Sequence, residues 1–106
     1  MGRTDDAIGE CLKAINVDPE FGNPYNDIGS YLLRMGRFDD AIPWLQKAKQ
    51  ARRYQNPEFA CGNLAKAYEF KGLIMPAIQE YKSALEISPD WTSAQTGLKR
   101  LKAMLN

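Results

Sequence analysis

The string Gly36-Arg37-Phe38-Asp39-Asp40-Ala41-Ile42 decides how the chain is read, because the same pattern stands elsewhere in it. Thirty-four residues earlier is Gly2-Arg3-Thr4-Asp5-Asp6-Ala7-Ile8, and thirty-six residues later a looser copy, Gly72-Leu73-Ile74-Met75-Pro76-Ala77-Ile78. A second alanine follows seven positions on in each copy: Ala14, Ala48 and Ala84. Pro19 and Pro89 each lie five residues beyond that alanine. Upstream, Tyr25, Ile28, Gly29 and Leu32 line up with Cys61, Leu64, Ala65 and Tyr68. Self-similarity of this period marks a stack of like units, each unable to bury its apolar face alone.

Apolar residues at i, i+3, i+4 and i+7 make the segments amphipathic helices. Small residues at Gly29 and Ala65, and at Ala7, Ala41 and Ala77, let paired helices approach closely. Ile28, Leu32, Leu45, Leu64, Tyr68 and Tyr81 fill the space between neighbours. Gly36 and Gly72 stand where the turn within a pair needs a permissive backbone. Six helices are expected, over 3–16, 22–35, 38–54, 57–71, 74–87 and 90–105. Asn56-Pro57-Glu58 has the form of a helix start, and Pro76 fits a first turn. Pro43 falls further into its helix and is expected to bend or open the first turns. Two residues beyond the regular period lie within Lys49–Asn56 and predict about one extra turn there. That region holds the basic cluster Lys47, Lys49, Arg52 and Arg53, read as a solvated helix end.

In these residues the chain resembles the tetratricopeptide repeat family. Its 34-residue helix–turn–helix unit has large, small and large residues in the first helix, then Ala, a large residue, Ala and Pro. The resemblance covers nearly the whole chain. It implies an all-α fold, a right-handed α-solenoid of antiparallel helix pairs, and a role in protein interaction. The expected organisation is a half repeat over 1–19 (second helix only), full repeats over 20–55 and 56–89, and a capping helix over 90–106.

Composition narrows the function. The chain has 106 residues, a net charge of +1 and no histidine, so the commonest general base and metal ligand are missing. Two cysteines are too few for a disulfide scaffold or a four-thiolate zinc site. Cys11 and Cys61 fall in different units and read as small buried hydrophobes. Asp5-Asp6 and Asp39-Asp40 suit the positive ends of helices rather than catalysis. No phosphate loop or metal-ligand spacing is present. The expectation is a non-enzymatic cytoplasmic module without cofactor or metal, and with no nucleic-acid or membrane partner.

The two ends differ. In the last helix Lys99 stands where Gly29 and Ala65 stood, and Lys102 where Leu32 and Tyr68 stood, as in a solvating cap. The first unit begins at its turn. Its open face would include Ala7, Cys11 and Ala14, with Ile8, Leu12 and Ile15 nearby. Either the chain is the C-terminal part of a longer array, or another molecule supplies the missing helix. These six residues are therefore the candidate self-association surface.

First helices line the concave side of such a solenoid. The candidate peptide-binding residues there are Asn23, Asn26, Asp27, Ser30 and Arg34, then Phe59, Asn63, Lys66 and Phe70, then Arg100. Amides can bond a peptide backbone in both directions, and Arg34, Lys66 and Arg100 could pair carboxylates. Asn63 is similar to the asparagine ladder of the glycosyltransferase branch of the family, which Asp27 breaks in the preceding unit. The family's carboxylate clamp is not matched: Asn26 and Ser30 replace its first pair, and Ser93 and Gly97 its last. Trp91 is expected to lock the cap, and Trp44 to pack or be partly exposed. The resulting role is an interaction module or scaffold holding a peptide or helix in the concave groove. Two alternatives are self-assembly through the first helix, and an accessory domain presenting substrate to a larger enzyme.

Overall fold

The computed structural model describes residues 2–105. Six helices follow one another: α1 (Gly2–Val17), α2 (Asn23–Arg34), α3 (Phe38–Gln50), α4 (Pro57–Phe70), α5 (Ile74–Ile87) and α6 (Thr92–Met104). The most extensive packing is within the pairs α2–α3 and α4–α5, and then between α3 and α4. α1 lies on α2, and α6 on α5. Stacking pairs in this way makes a slab of 46 × 28 × 19 Å, an all-α helical-repeat solenoid.

The turns inside the pairs show why glycine recurs. Gly36 and Gly72 have φ of 76° and 77°, a region that side chains disfavour. Around each, the backbone closes the preceding helix twice. Arg37 N–H donates to Leu32 O at 2.9 Å and Gly36 N–H to Leu33 O at 3.0 Å. Leu73 N–H reaches Tyr68 O at 2.8 Å and Gly72 N–H reaches Glu69 O at 3.0 Å. This paired closure turns the chain back sharply and leaves few carbonyls open.

The core follows the small–large pattern. One cluster joins Ile28, Leu32, Ala41, Leu45 and Leu64; another joins Cys61, Ala65, Ala77, Ile78, Tyr81, Ala84, Ala94 and Leu101. Tyr68 packs against both and links the two units. Leu45, Leu101 and the alanines at 41, 48, 77 and 84 have no exposed surface. Trp91 rests in the second cluster, beside Phe59, with ring centroids 5.3 Å apart.

Two local expectations change. α3 ends at Gln50, and residues 51–56 are not an added helical turn. They run extended beside Glu20–Gly22: Arg53 N–H donates to Glu20 O at 3.1 Å, and Gly22 N–H to Arg53 O at 2.7 Å. The physical reason has two parts. Asn56 precedes a proline and is biased away from helix. The loop after α1 also has backbone groups to satisfy, and an extended neighbour satisfies them. Pro43 does not divide α3, which is continuous from Phe38 to Gln50. The ring is exposed and lies near the helix start, where only a limited part of the hydrogen-bond ladder is lost.

The basic cluster is accordingly not a free helix end. Lys49 pairs with Glu80 at 3.0 Å, Arg53 with Asp18 at 2.6 Å, and Lys47 lies over the Trp44 ring. Arg52 lies 3.8 Å from Glu20. No described helix is long and apolar enough to cross a membrane.

Candidate functional site

The first helices α2, α4 and α6 stand side by side, and a cleft opens between each neighbouring pair. Ser30, Leu33 and Arg34 of α2 and Asn63, Lys66 and Phe70 of α4 line one cleft of about 440 Å³. The next, about 460 Å³, is lined by Lys66, Glu69 and Phe70 of α4, Tyr81 of α5, and Thr92, Ser93, Thr96 and Arg100 around α6. Lys66 and Phe70 border both, so the two clefts adjoin along α4.

Helical spacing explains the membership. In α4, Asn63, Lys66 and Phe70 follow at i, i+3 and i+7, opposite the buried face of Cys61, Leu64 and Ala65. Asn63 Nδ2 donates to Asn26 Oδ1 at 3.0 Å, tying α4 to α2 across the groove floor. Phe70 is 68% exposed, yet it stacks on Phe38 with centroids 4.8 Å apart and an interplanar angle of 7°. That contact holds the aromatic rim in place from α3.

The cations of the groove have unequal surroundings. Arg100 is held by Glu69: Nη2 lies 2.8 Å from each carboxylate oxygen and Nε lies 3.0 Å from Oε2. Tyr81 donates to the same carboxylate at 3.2 Å. Burial first, and the Glu69 charge second, push the Tyr81 phenol up. The Glu69 hydrogen bonds likewise raise the Arg100 guanidinium. Arg34 lies over the Tyr31 ring at 5.5 Å. Among the described residues neither Arg34 nor Lys66 has a carboxylate partner.

The remaining groove candidates lie outside these clefts. Asn23 exchanges hydrogen bonds with Gln55 of the extended segment, at 3.3 and 3.4 Å. Asn26 is engaged by Asn63. Asp27 borders neither cleft, and partial enclosure raises its carboxyl above the usual range. Phe59 leans on Trp91 rather than into the groove. The sequence reading did not anticipate Tyr81 in the second cleft or Phe38 under Phe70. The glycine at 97 is a signal for the first: a Cβ there would lie 2.5 Å from Tyr81 Cζ, so the ring passes beneath α6.

On α1 no described residue is fully buried. Ile8, Cys11 and Ile15 pack against the α2–α3 core, Ala7 is half-buried, and Ala14 and Leu12 are exposed. Ile8 and Leu12 also border a cleft of about 600 Å³ between α1 and α3, floored by Ile28 and Leu32. Both cysteines are free, and burial is the main cause that raises each thiol. Among the described residues no acid or thiol cluster could hold a metal ion.

Comparison with known proteins places this geometry. The family model described as tetratricopeptide repeat matches residues 23–54 and 60–90. The small glutamine-rich tetratricopeptide repeat-containing protein 2 of Mycosarcoma maydis is 36% identical over 47 residues, which is 44% of this chain and 13% of that protein. The chain thus matches only a small part of that relative's length. The second TPR domain of human RPAP3, solved by NMR with the HSP70 peptide SGPTIEEVD, superposes with a TM-score of 0.83 at 20% identity. That superposition covers 95% of this chain and 82% of that one. A thermophilic TPR protein of Thermus thermophilus gives 0.80 at 20% identity, over 96% of this chain and 51% of that one. Both helix pairs are matched in register by the family model, and the chain belongs to the tetratricopeptide repeat family.

Proposed function

We propose that the chain is a non-enzymatic interaction module that holds a peptide or short helix in the groove between α2, α4 and α6. The observation that carries this is that two clefts adjoin along α4 and share Lys66 and Phe70. An exposed aromatic, an amide fixed by its neighbour and two unpaired cations face one trough. A peptide needs such a combination: apolar surface for affinity, and a few fixed polar groups for register. The peptide bound to the similarly folded RPAP3 domain supports a peptide as the occupant. The free thiols suit a reducing compartment such as the cytoplasm. Titrating a set of capped peptides against the chain and its Asn63→Ala/Lys66→Ala variant tests the assignment. Binding is expected to weaken in the variant; unchanged binding rejects the groove.

A second reading is favoured by the exposure of α1, where Val17 is 85% and Leu12 46% exposed. Self-association through α1 would cover these side chains. Light scattering over a concentration series decides it, and a constant mass of 12.0 kDa at high concentration rejects it.

A further inference from the structure

The groove's two halves differ in charge, and this difference deepens the peptide reading on which it rests. The α2–α4 cleft has Arg34 and Lys66 on its walls and no acid among its lining residues. The α4–α6 cleft also has a cation at its far side, Arg100, but Glu69 engages it with three hydrogen bonds and Tyr81 shares the same carboxylate. Of the three groove cations, two remain available to a ligand, and both face the same cleft. Beside them Leu33 and Phe70 supply apolar surface, and Phe70 is fixed by its stack on Phe38.

We infer that the α2–α4 cleft recognises a side-chain carboxylate next to an aromatic residue within an extended peptide, the acid between Arg34 and Lys66 and the ring against Phe70. A carboxylate can accept from both cations at once, and its removal leaves two like charges facing each other across the cleft. Phe70 gives the ring an edge or a face to pack on. The acid is placed inside the peptide because a second cleft adjoins the first at Lys66. In that α4–α6 cleft the Ser93 and Thr96 hydroxyls and the neutralised Arg100–Glu69 pair suit uncharged backbone. A terminal carboxylate at Lys66 would leave that half of the trough empty.

The test uses three hexapeptides titrated into isotopically labelled chain and followed by NMR. The first is acetyl-Ala-Ala-Glu-Phe-Ala-Ala-amide. The second replaces Glu by Gln. The third is the Gln peptide with a free C-terminal carboxylate in place of the amide. The Glu peptide is expected to shift signals of Ser30, Arg34, Asn63, Lys66 and Phe70, and to bind about tenfold more tightly than the Gln peptide. Added salt should narrow that ratio. In Arg34→Gln/Lys66→Gln, whose altered side chains have no carboxylate partner to lose, the two should bind alike. Equal binding of Glu and Gln peptides by the unaltered chain overturns the carboxylate inference and leaves the groove reading standing. Tighter binding of the free-terminus peptide than the Glu peptide overturns the internal placement. If no hexapeptide shifts the groove signals, the inference fails, and the wider titration against Asn63→Ala/Lys66→Ala decides the groove reading separately.

Discussion

Two helix-interior glycines, changed in the same way, should move stability in opposite directions. Gly9 lies in α1, where a Cβ would meet nothing within 4 Å beyond its own chain neighbours and helix backbone. Gly97 lies in α6, where a Cβ would meet Tyr81 Cζ at 2.5 Å and Cε2 at 2.8 Å. Glycine in a helix costs about 0.5–1 kcal/mol relative to alanine. Gly9→Ala recovers that amount with nothing opposing it. Gly97→Ala gains the same but must displace a rigid ring that is only 4% exposed. Overpacking of this kind costs about 1–3 kcal/mol. Moving the ring also strains the 3.2 Å bond from the Tyr81 hydroxyl to Glu69, worth about 0.5–1.5 kcal/mol. The net for Gly97→Ala is a loss of about 0.5–4 kcal/mol. For a domain of this size each kcal/mol moves Tm by about 4–8 °C. Thermal unfolding followed by far-UV circular dichroism should show Gly9→Ala melting a few degrees higher and Gly97→Ala clearly lower. Hydrogen exchange should place the loss in α6, since each repeat element feels chiefly its neighbours. Adding Tyr81→Leu to Gly97→Ala should cost less than the two separate losses combined, because the clash is then gone. A Gly97→Ala chain that melts at or above the unaltered one refutes the close-packing argument.

Other outcomes follow from the same geometry. Gly36→Ala and Gly72→Ala should each destabilise by about 1 kcal/mol despite open space around them, because the strain lies in positive φ; equal Tm values would contradict this. Stability should hold below about pH 8.5 and fall as pH rises past the ordinary cysteine and tyrosine values, about 8.5 and 10. The sign follows from burial: Cys61, Tyr54 and Tyr81 all have raised folded values, so ionisation favours the unfolded chain. Denaturant titrations across pH would show it, with a smaller alkaline loss in Tyr81→Phe. An alkylating reagent should modify half-buried Cys11 well before Cys61, which is 1% exposed, and mass spectrometry of partly labelled chain reads the order. Arg53→Pro should lower Tm more than Arg53→Ala, since only the proline removes the N–H that bonds Glu20; the reverse order in thermal melts would discount the extended segment as a support.

Much of the architecture is legible in the chain because each repeat position carries a local steric demand. A small residue at Gly29 and a fully buried leucine at Leu45 need each other: a Cβ on Gly29 would come within 2.4 Å of Leu45 Cγ. Such pairs recur in register, so the helices and their partners can be read without coordinates. Residues 51–56 could not be read in the same way. Counting located the two additional residues, and helix periodicity suggested another turn. What decided the conformation was a pairing with Glu20–Gly22, more than thirty positions away and invisible to any local pattern. The consequence extends to the proposed groove. The segment bonds Asn23 through Gln55, so the first amide of the supposed groove is committed to the fold.

Residues of one type differ in availability along the proposed groove. Arginine at 34 and arginine at 100 look equivalent in a sequence, for both fall on the outward stripe of a first helix. Their difference arises across the stack: Glu69 of α4 reaches Arg100 of α6, and no acid on α4 reaches Arg34 of α2. Exposed ion pairs of this sort contribute little to stability. In the proposed groove they would matter more for recognition, because a ligand carboxylate would have to displace Glu69 to reach Arg100, while Arg34 and Lys66 need only shed water. A repeat stack can thus repeat its shape from unit to unit and still vary its charge. On the proposed reading, specificity would reside in the cations that the neighbouring unit leaves without an acid.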